Sequence, residues 1–511
     1  MGAALATNPA PPASSAGKPS AKAKPKSKPK PKLGLRFWME HVLEECNRAA
    51  AGFEADPVHD LRVALRRCRS LADGLMAVDP DRSWRDMKKA GKKLFQALGE
   101  LRDMQVMKEW IEKLSEPDDP VSVKLLNHVH ACETECKQLA WKDLNQFDRK
   151  RWGQWSRALP RRAARLRPGN PVYLHLALEK WTAAYELHKR AVRTRSQIAL
   201  HELRIGIKRF RYTVENFLPV QHALWGGSLK ELQDLLGEVH DLDVLWATAL
   251  EIMAFSDPES RTRWREKLNH ERNQRVERYR ELMIGKQSLW RVWRAALPAG
   301  PELRAAALNR LRVWAGYLDP DFPHAQRVAQ LSLHLFDALR HAHLLGDAHQ
   351  HDSREILEAA AFMHDVGRAK RNENHQKKSF RMIMKLSRPL GWSPRELELA
   401  AVVARYHRGA LPTARRKTMQ RLQLQDRHLA LELAGVLRLA NALDTHNGTG
   451  TKPTVESRDH ALILHAAGYS PLDSSAEEIA ASRHLLETVI HRPIMVRTLR
   501  RAAHHQVRTG R

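Results

Sequence analysis

Two stretches of this chain space their basic and imidazole side chains as the grip on an extended anion would require. Residues 59–69 read HDLRVALRRCR, and residues 201–211 read HELRIGIKRFR. In the first, His59, Arg62, Arg66 and Arg69 are separated by three, four and three residues, so on a helix they share one face. His201, Arg204, Lys208 and Arg211 repeat the pattern. No acid at a matching position relieves the repulsion, which costs about 0.2–0.5 kcal/mol per neighbouring pair. A multivalent anion would complete such faces, and arginine suits phosphate because its planar fork donates two parallel hydrogen bonds. One block alone reads more plainly as a solvated basic surface. The duplication, with histidine in the same place, favours a ligand.

A second constellation lies further on. His364 and Asp365 stand together in AAAFMHDVGRAK, an apolar segment read as a helix ending at Gly367. His324 opens the helical pattern HAQRVAQLSLHLF upstream, and Asp444 ends RLANALD downstream. Imidazole nitrogen and carboxylate oxygen in the order H…HD…D suit a divalent ion (manganese, magnesium, iron or zinc) in an open hydrolytic site. An isolated HD dipeptide means little; the joint pattern carries the reading.

The elements that must position these groups are helical. From Leu35 onward apolar residues recur at i, i+3 and i+4, and strand-like alternation is scarce. Breaks are expected at Asp79-Pro80-Asp81, Pro117–Pro120, Pro168-Gly169-Asn170-Pro171, Gly226-Gly227 and Leu297–Pro301. The basic blocks belong to a longer repeat. LGELRDMQV at 98–106 matches LGEVHDLDV at 236–244, an offset of 138, against 142 for the first pair. Residues 35–300 therefore read as two copies of one helical unit. Beyond about Asp444 the pattern changes. Residues 461–465 and 493–496 look like short strands around a helix over about 474–489, a small α+β appendage.

Composition bounds the rest. The chain has 511 residues, a net charge of +28 and 43% hydrophobic residues. That is enough to bury real cores over two to four domains. The surplus charge is spread: +7 over residues 1–34, +10 over 35–300 and +11 over 301–511. Residues 1–34 hold seven lysines, no acid and many prolines, and read as a disordered basic arm. No apolar run is long enough to cross a membrane, and no secretory h-region is seen. Four scattered cysteines do not make a disulfide framework. A cytoplasmic protein with a polyanionic partner is expected.

The doubled H-x-x-R-(V/I)-x-x-(R/K)-R-x-R block, each copy followed by L-G-E-x-(R/H)-D, resembles the CHAD family, the conserved-histidine α-helical domain. The resemblance covers residues 35–295. It implies a pair of four-helix bundles with a basic channel that binds inorganic polyphosphate. By that resemblance the binding residues are His59, Arg62, Arg66, Arg67, Arg69, Arg102, His201, Arg204, Lys208, Arg209 and Arg211. His240 stands where the family has arginine. Asp103 and Asp241 would orient the bases. The later segments HAQRVA, AFMHDVG, NHQKKSF, VVARYHRGALP and VLRLANALD are similar to the C-terminal HD region of the exopolyphosphatase/guanosine-pentaphosphatase family, over residues 305–500. That implies an HD-type metal-dependent phosphohydrolase domain with His324, His364, Asp365 and Asp444 as ligands. By the same resemblance His375 and His407 match family histidines that would add a second metal position or contact phosphate, although Gln376 and Lys378 replace two further ones.

The resulting expectation is a mainly α protein: a basic arm, a CHAD-like double bundle, then an HD-type helical domain with an α+β end. It would bind polyphosphate and hydrolyse a phosphoanhydride or phosphoester, of the polymer or of a small phosphorylated substrate. Asp365 would orient water, while Lys377, Arg405 and His407 would neutralise developing charge; Lys378, Arg408 and Arg368 extend the basic rim. The alternative is a non-catalytic polyphosphate-binding scaffold at polyphosphate granules. Nucleic acid is disfavoured as the main partner, because the basic blocks lack interleaved aromatics beyond Phe210 and Tyr212.

Overall fold

The computed structural model of the chain describes residues 34–346, 350–369, 373–447, 453–458, 460–467 and 469–498. The basic arm expected over residues 1–34 lies, apart from Gly34, outside them. Among the described residues are nineteen α-helices and one three-stranded sheet. None of the helices is long and apolar enough to cross a membrane.

Eleven helices carry the repeat. The first copy comprises α1 (Leu35–Gly52), α2 (Ala55–Leu75), α3 (Arg82–Ala90), α4 (Lys92–Leu114), α5 (Pro120–Gln146) and α6 (Arg149–Ala163). The second comprises α7 (Pro171–Thr194), α8 (Gln197–Phe217), α9 (Pro219–Glu251), α10 (Pro258–Met283) and α11 (Leu289–Ala295). Local sequence starts these helices. The side chains of Asp81, Asp119, Asp148, Asn170, Ser196 and Asp257 accept from backbone N–H groups of the first turns. Proline sits at the first position of α5, α7, α9 and α10.

A third match extends the repeat. Trp152, Trp155, Leu159 and Pro160 correspond to Trp290, Trp293, Leu297 and Pro298, again at an offset of 138. All four tryptophans are buried and close the base of their bundles. The copies differ at Gly91, which splits α3 from α4 where α9 runs unbroken. Gly226-Gly227 is not the expected break. The pair lies inside α9, which starts at the Leu218-Pro219 corner and is held by buried Trp225, Leu229 and Leu232. Packing outweighs about 1 kcal/mol of propensity lost per glycine.

One core joins both copies around α1, α2, α6, α7, α8 and α11. A smaller one joins the far ends of α4 and α5 to those of α9 and α10, through Trp110, Ile111, Leu125, Leu245 and Trp264. Within the first core α2 crosses α8. Gly74 permits the approach, because a Cβ there would overlap the ring of Phe217. Asn216 Nδ2 donates to Ser70 Oγ at 3.0 Å beside it.

The second half contains α12 (Gly300–Leu318), α13 (Phe322–His341), α14 (Gln350–Met363), a 3-10 turn (Val366–Ala369), α15 (His375–Ile383), α16 (Pro394–Arg405), α17 (Lys417–Gln420) and α18 (Leu424–Asn447). β1 (Thr454–Arg458) pairs antiparallel with β2 (Ala461–Ala466), and β2 pairs parallel with β3 (Ile494–Thr498) after the crossover helix α19 (Ser474–Ile490). The sequence expects β2, α19 and β3; β1, mostly exposed, carries too little apolar alternation to be read. The halves pack through α12 and a neighbouring loop. His175 Nε2 donates to the Leu390 carbonyl at 2.8 Å, Arg310 pairs with Glu179, and Tyr317 Oη donates to the Arg162 carbonyl at 3.1 Å.

Candidate phosphate groove and metal centre

The repeated basic blocks lie on α2 and α8 and meet where the two helices cross. Arg62 and Arg66 from α2 face Arg204 and Lys208 from α8, with Asp103 of α4 among them. Arg102 and Asp241 flank the cluster. The Nε atoms of Arg62 and Arg66 are buried with no hydrogen-bond partner among the described residues. Buried donors of that kind are costly unless something outside the chain accepts from them. His201 and His240 meet at this end, Nδ1 to Nδ1 at 3.4 Å, so the histidine at the arginine position packs against the motif histidine. Burial and the nearby Arg204 and His201 push His240 down to about 4.

Other motif residues are employed elsewhere. Arg67 pairs with Glu215 at 2.5 Å and lies over Trp38. Arg69 donates to the Lys88 carbonyl at 2.7 Å and lies over Phe95. His59 and Arg209 are exposed, Arg211 lies beside Asp234, and Arg102 bonds Glu109 at 3.0 Å. The cluster in which the two repeats face each other is thus Arg62, Arg66, Arg204 and Lys208, the candidate phosphate site.

The groove titrates near neutrality. Burial, then Arg204, Arg66 and Arg62, push Lys208 down to about 8, against the opposing pull of Asp103. Burial, with Asp103 and Glu238, pushes Asp241 up to about 6, against Arg204 and Arg102. A bound polyanion favours protonated Lys208 and protonated Asp241. Polyanion affinity is therefore expected to fall as pH rises through about 8 and to strengthen as pH drops through about 6. Titration calorimetry across that range, with Lys208→Met removing the upper step, checks both signs.

In the second half, α13, α14, α15, α16 and α18 bring six predicted residues to one buried place. The apolar helix α14 ends at Met363, earlier than expected, so His364 and Asp365 sit in the turn that follows. Ser379 of α15 stitches that turn: its Oγ donates to the His364 carbonyl at 2.7 Å and accepts from Gly367 N–H at 2.9 Å. Gly367 leaves no room for a side chain, since a Cβ would overlap the His375 carbonyl oxygen and lie 2.7 Å from Ser379 N. Gly367→Ala is expected to push α15 and His375 away and to destabilise by about 1–3 kcal/mol, as overpacking does. Chemical denaturation reads the stability, and metal content reads His375.

Two groups of side chains there could hold metal ions: His324, His364 and Asp365, and Asp365, His375 and His407. Asp365 belongs to both. Its Oδ1 is 3.0 Å from His375 Nε2 and 3.6 Å from His407 Nε2, and its Oδ2 is 3.7 Å from His364 Nε2. His364 Nδ1 donates to the Ala361 carbonyl at 2.7 Å, and His407 Nδ1 to the Ala404 carbonyl at 2.9 Å. A ring nitrogen facing a carbonyl must carry the proton, so the Nε2 of each is left as a lone pair. Both lone pairs are directed toward a carboxylate, and His364 Nε2 is buried without a hydrogen-bond partner among the described residues. Burial lowers His364 and His407 further and so keeps them neutral. Burial alone would raise Asp365; His364, His375 and His407 outweigh it and hold the carboxyl far below its usual range. Neutral imidazoles around an ionised carboxylate are a cation's donor set.

The fourth predicted ligand stands behind His324. Asp444 accepts from His324 Nδ1 at 2.6 Å, and Arg327 bonds both its oxygens at 2.8 and 3.0 Å. His324 Nε2 lies 3.1 Å from Asn441 Oδ1, so both ring nitrogens face acceptors. Burial works against the charge on His324, and Asp444 outweighs it, raising the imidazole. Ligation by His324 would release that proton. Lys377 is exposed; Arg405 is half-buried over Tyr406; Arg368 bonds Asp365 Oδ2 at 2.9 Å. The sequence reading misses Arg327, Asn441 and Arg438. The first two lie three residues after His324 and three before Asp444, one helical turn away, which was the available signal. Arg438 donates to the carbonyls of Tyr406, at 3.2 Å, and Gly409, at 2.6 Å, on either side of His407. It missed Asp319 as well, a buried acid just before α13 whose Oδ2 has no partner among the described residues.

Comparison with known proteins agrees with this division. A family model described as the CHAD domain matches residues 35–250. A second, described as Ppx/GppA phosphatase, domain III, matches residues 312–465. The chain thus carries a CHAD domain followed by a Ppx/GppA phosphatase domain III. Among solved structures, a crystal structure of the CHAD domain from the plant Ricinus communis matches at 22% identity with a TM-score of 0.35, over 52% of this chain and 90% of that one. No curated protein matches the chain.

Proposed function

We propose that this protein binds inorganic polyphosphate in the groove between α2 and α8 and hydrolyses a phosphoanhydride or phosphoester at the His/Asp centre. The observation that carries the catalytic half is the pair of backbone-locked imidazoles, His364 and His407, presenting lone pairs to Asp365. His324, His364 and Asp365 would hold one divalent ion, and Asp365, His375 and His407 a second. An ion there would supply Lewis-acid polarisation of a phosphoryl oxygen and a more acidic water. The chain's own residues do the rest. Asp365 is kept ionised and accepts a hydrogen bond from an attacking water, which orients it. Arg368 and Arg405 supply positive charge at the rim for the phosphoryl oxygens. The test is phosphate release from long-chain polyphosphate with manganese, compared with the same mixture under chelator. Release only with metal supports the reading; equal rates in both, or none in either, refute it.

A second reading rests on Asp444. Arg327 already neutralises this carboxylate, which favours a phosphate-binding centre without turnover, and hence a scaffold that gathers polyphosphate. Tight metal-dependent binding without release would select it.

A further inference from the structure

Among the described residues, the exposed face of α6 carries a run of positive charge without ion pairs that neither site uses. Lys150, Arg157, Arg161 and Arg165 recur at intervals of seven, four and four residues, and all four are exposed. On a helix these spacings fall on one face, and Arg165 continues it in the turn beyond Ala163. The opposite face, Trp152, Trp155 and Leu159, is buried. Among the described residues no carboxylate pairs with any of the four. Arg157 bonds only the Gly153 carbonyl at 3.1 Å, and Arg165 the Gly316 carbonyl at 3.2 Å.

Helix α10 shows the ordinary arrangement. It is equally rich in cations, yet Lys267, Arg272, Arg275, Arg278 and Arg280 each meet a carboxylate. A helix that stacks like charges one turn apart with no acid between them is destabilised unless an external anion supplies the counter-charge. The stripe also ends in a definite place. Arg162 and Arg165 lie over Tyr317 of α12. Four residues on, Asp321 caps α13, the helix that carries His324.

We infer that the α6 face is a second polyanion-docking track, which receives the polyphosphate chain beside the His/Asp centre, outside the α2/α8 groove. This rests on the polyphosphate reading above. The chemistry of the face points to a phosphate polymer without bases. Its tryptophans are buried, so single-stranded nucleic acid finds no stacking platform. Among the described residues of α6 no large apolar side chain is exposed beside the cations, so a membrane surface would gain charge contacts alone.

The test compares the full-length protein, Lys150→Gln/Arg157→Gln/Arg161→Gln and Arg62→Ala/Arg66→Ala, by salt-dependent binding of long-chain polyphosphate, tripolyphosphate and single-stranded DNA. Glutamine keeps helix propensity, and the three residues bury nothing, so the triple variant folds. The triple variant is expected to lose about tenfold in affinity for the long chain at low salt. Its log K against log salt slope becomes shallower by about 2, near 0.7 for each lost phosphate contact. Tripolyphosphate, too short to reach both surfaces, keeps its affinity in the triple variant and loses it in the groove variant. An unchanged long-chain slope in the triple variant overturns the inference while leaving the groove reading intact. Loss confined to DNA overturns it in favour of nucleic acid. If the unaltered protein binds neither phosphate ligand, the polyphosphate reading fails and the track fails with it.

Discussion

Asp365→Ala is expected to reduce metal-dependent phosphate release by about a thousandfold or more, since a correctly held ion contributes several kcal/mol to phosphoryl transfer. The reason is its position rather than its charge alone. Asp365 is the one carboxylate common to both groups of potential ligands. Its removal leaves the rings of His364, His375 and His407 facing one another without a carboxylate, with His375 and His407 Nε2 atoms 3.2 Å apart. Bound manganese, measured after dialysis, is expected to fall with activity. Long-chain polyphosphate binding is expected to persist, because the α2/α8 groove and α6 contain no residue of this centre. Asp365→Asn separates the two contributions of the side chain: it keeps the shape, and release is again expected to collapse. Undiminished release by either variant would place the chemistry elsewhere.

The second large effect belongs to the groove. Arg62→Ala/Arg66→Ala is expected to weaken polyphosphate binding by about a hundredfold or more, taking about 1.5–3 kcal/mol for each charge-assisted contact. The same variant is expected to keep or slightly raise its thermal midpoint. Among the described residues neither guanidinium has an ion pair, both Nε atoms lack partners, and each lowers the ionisation of its neighbours. Deleting them relieves repulsion. Loss of binding without loss of stability is the signature of residues placed for a ligand. A fall in both would identify them as structural, and the groove would lose its case. Arg67→Ala is the contrast, since Arg67 pairs with Glu215 across the α2/α8 crossing; there stability is expected to drop.

Much of this protein was determined by the sequence alone. Periodic apolar residues and breaks at proline or glycine made the helical class readable, because these act within one or two turns. The repeat was readable because each copy preserves the same local pattern, and the histidine and aspartate set because its order along the chain is distinctive. Only the tertiary structure decided which of those residues meet. Arg62, Arg66, Arg69 and Arg67 are equivalent as charges in the sequence. The crossing of α2 over α8 aims the first two into the groove, while packing against α3 and against Glu215 draws the other two away. Asp444 and Asp365 are both acids of one motif. The accident of one turn puts Arg327 against the first, and His364 of its own turn, His375 of α15 and His407 just beyond α16 surround the second. Charge and spacing are local properties, whereas the partner that neutralises a charge is set by helices distant in the chain, and that partner decides whether a residue is left for a ligand.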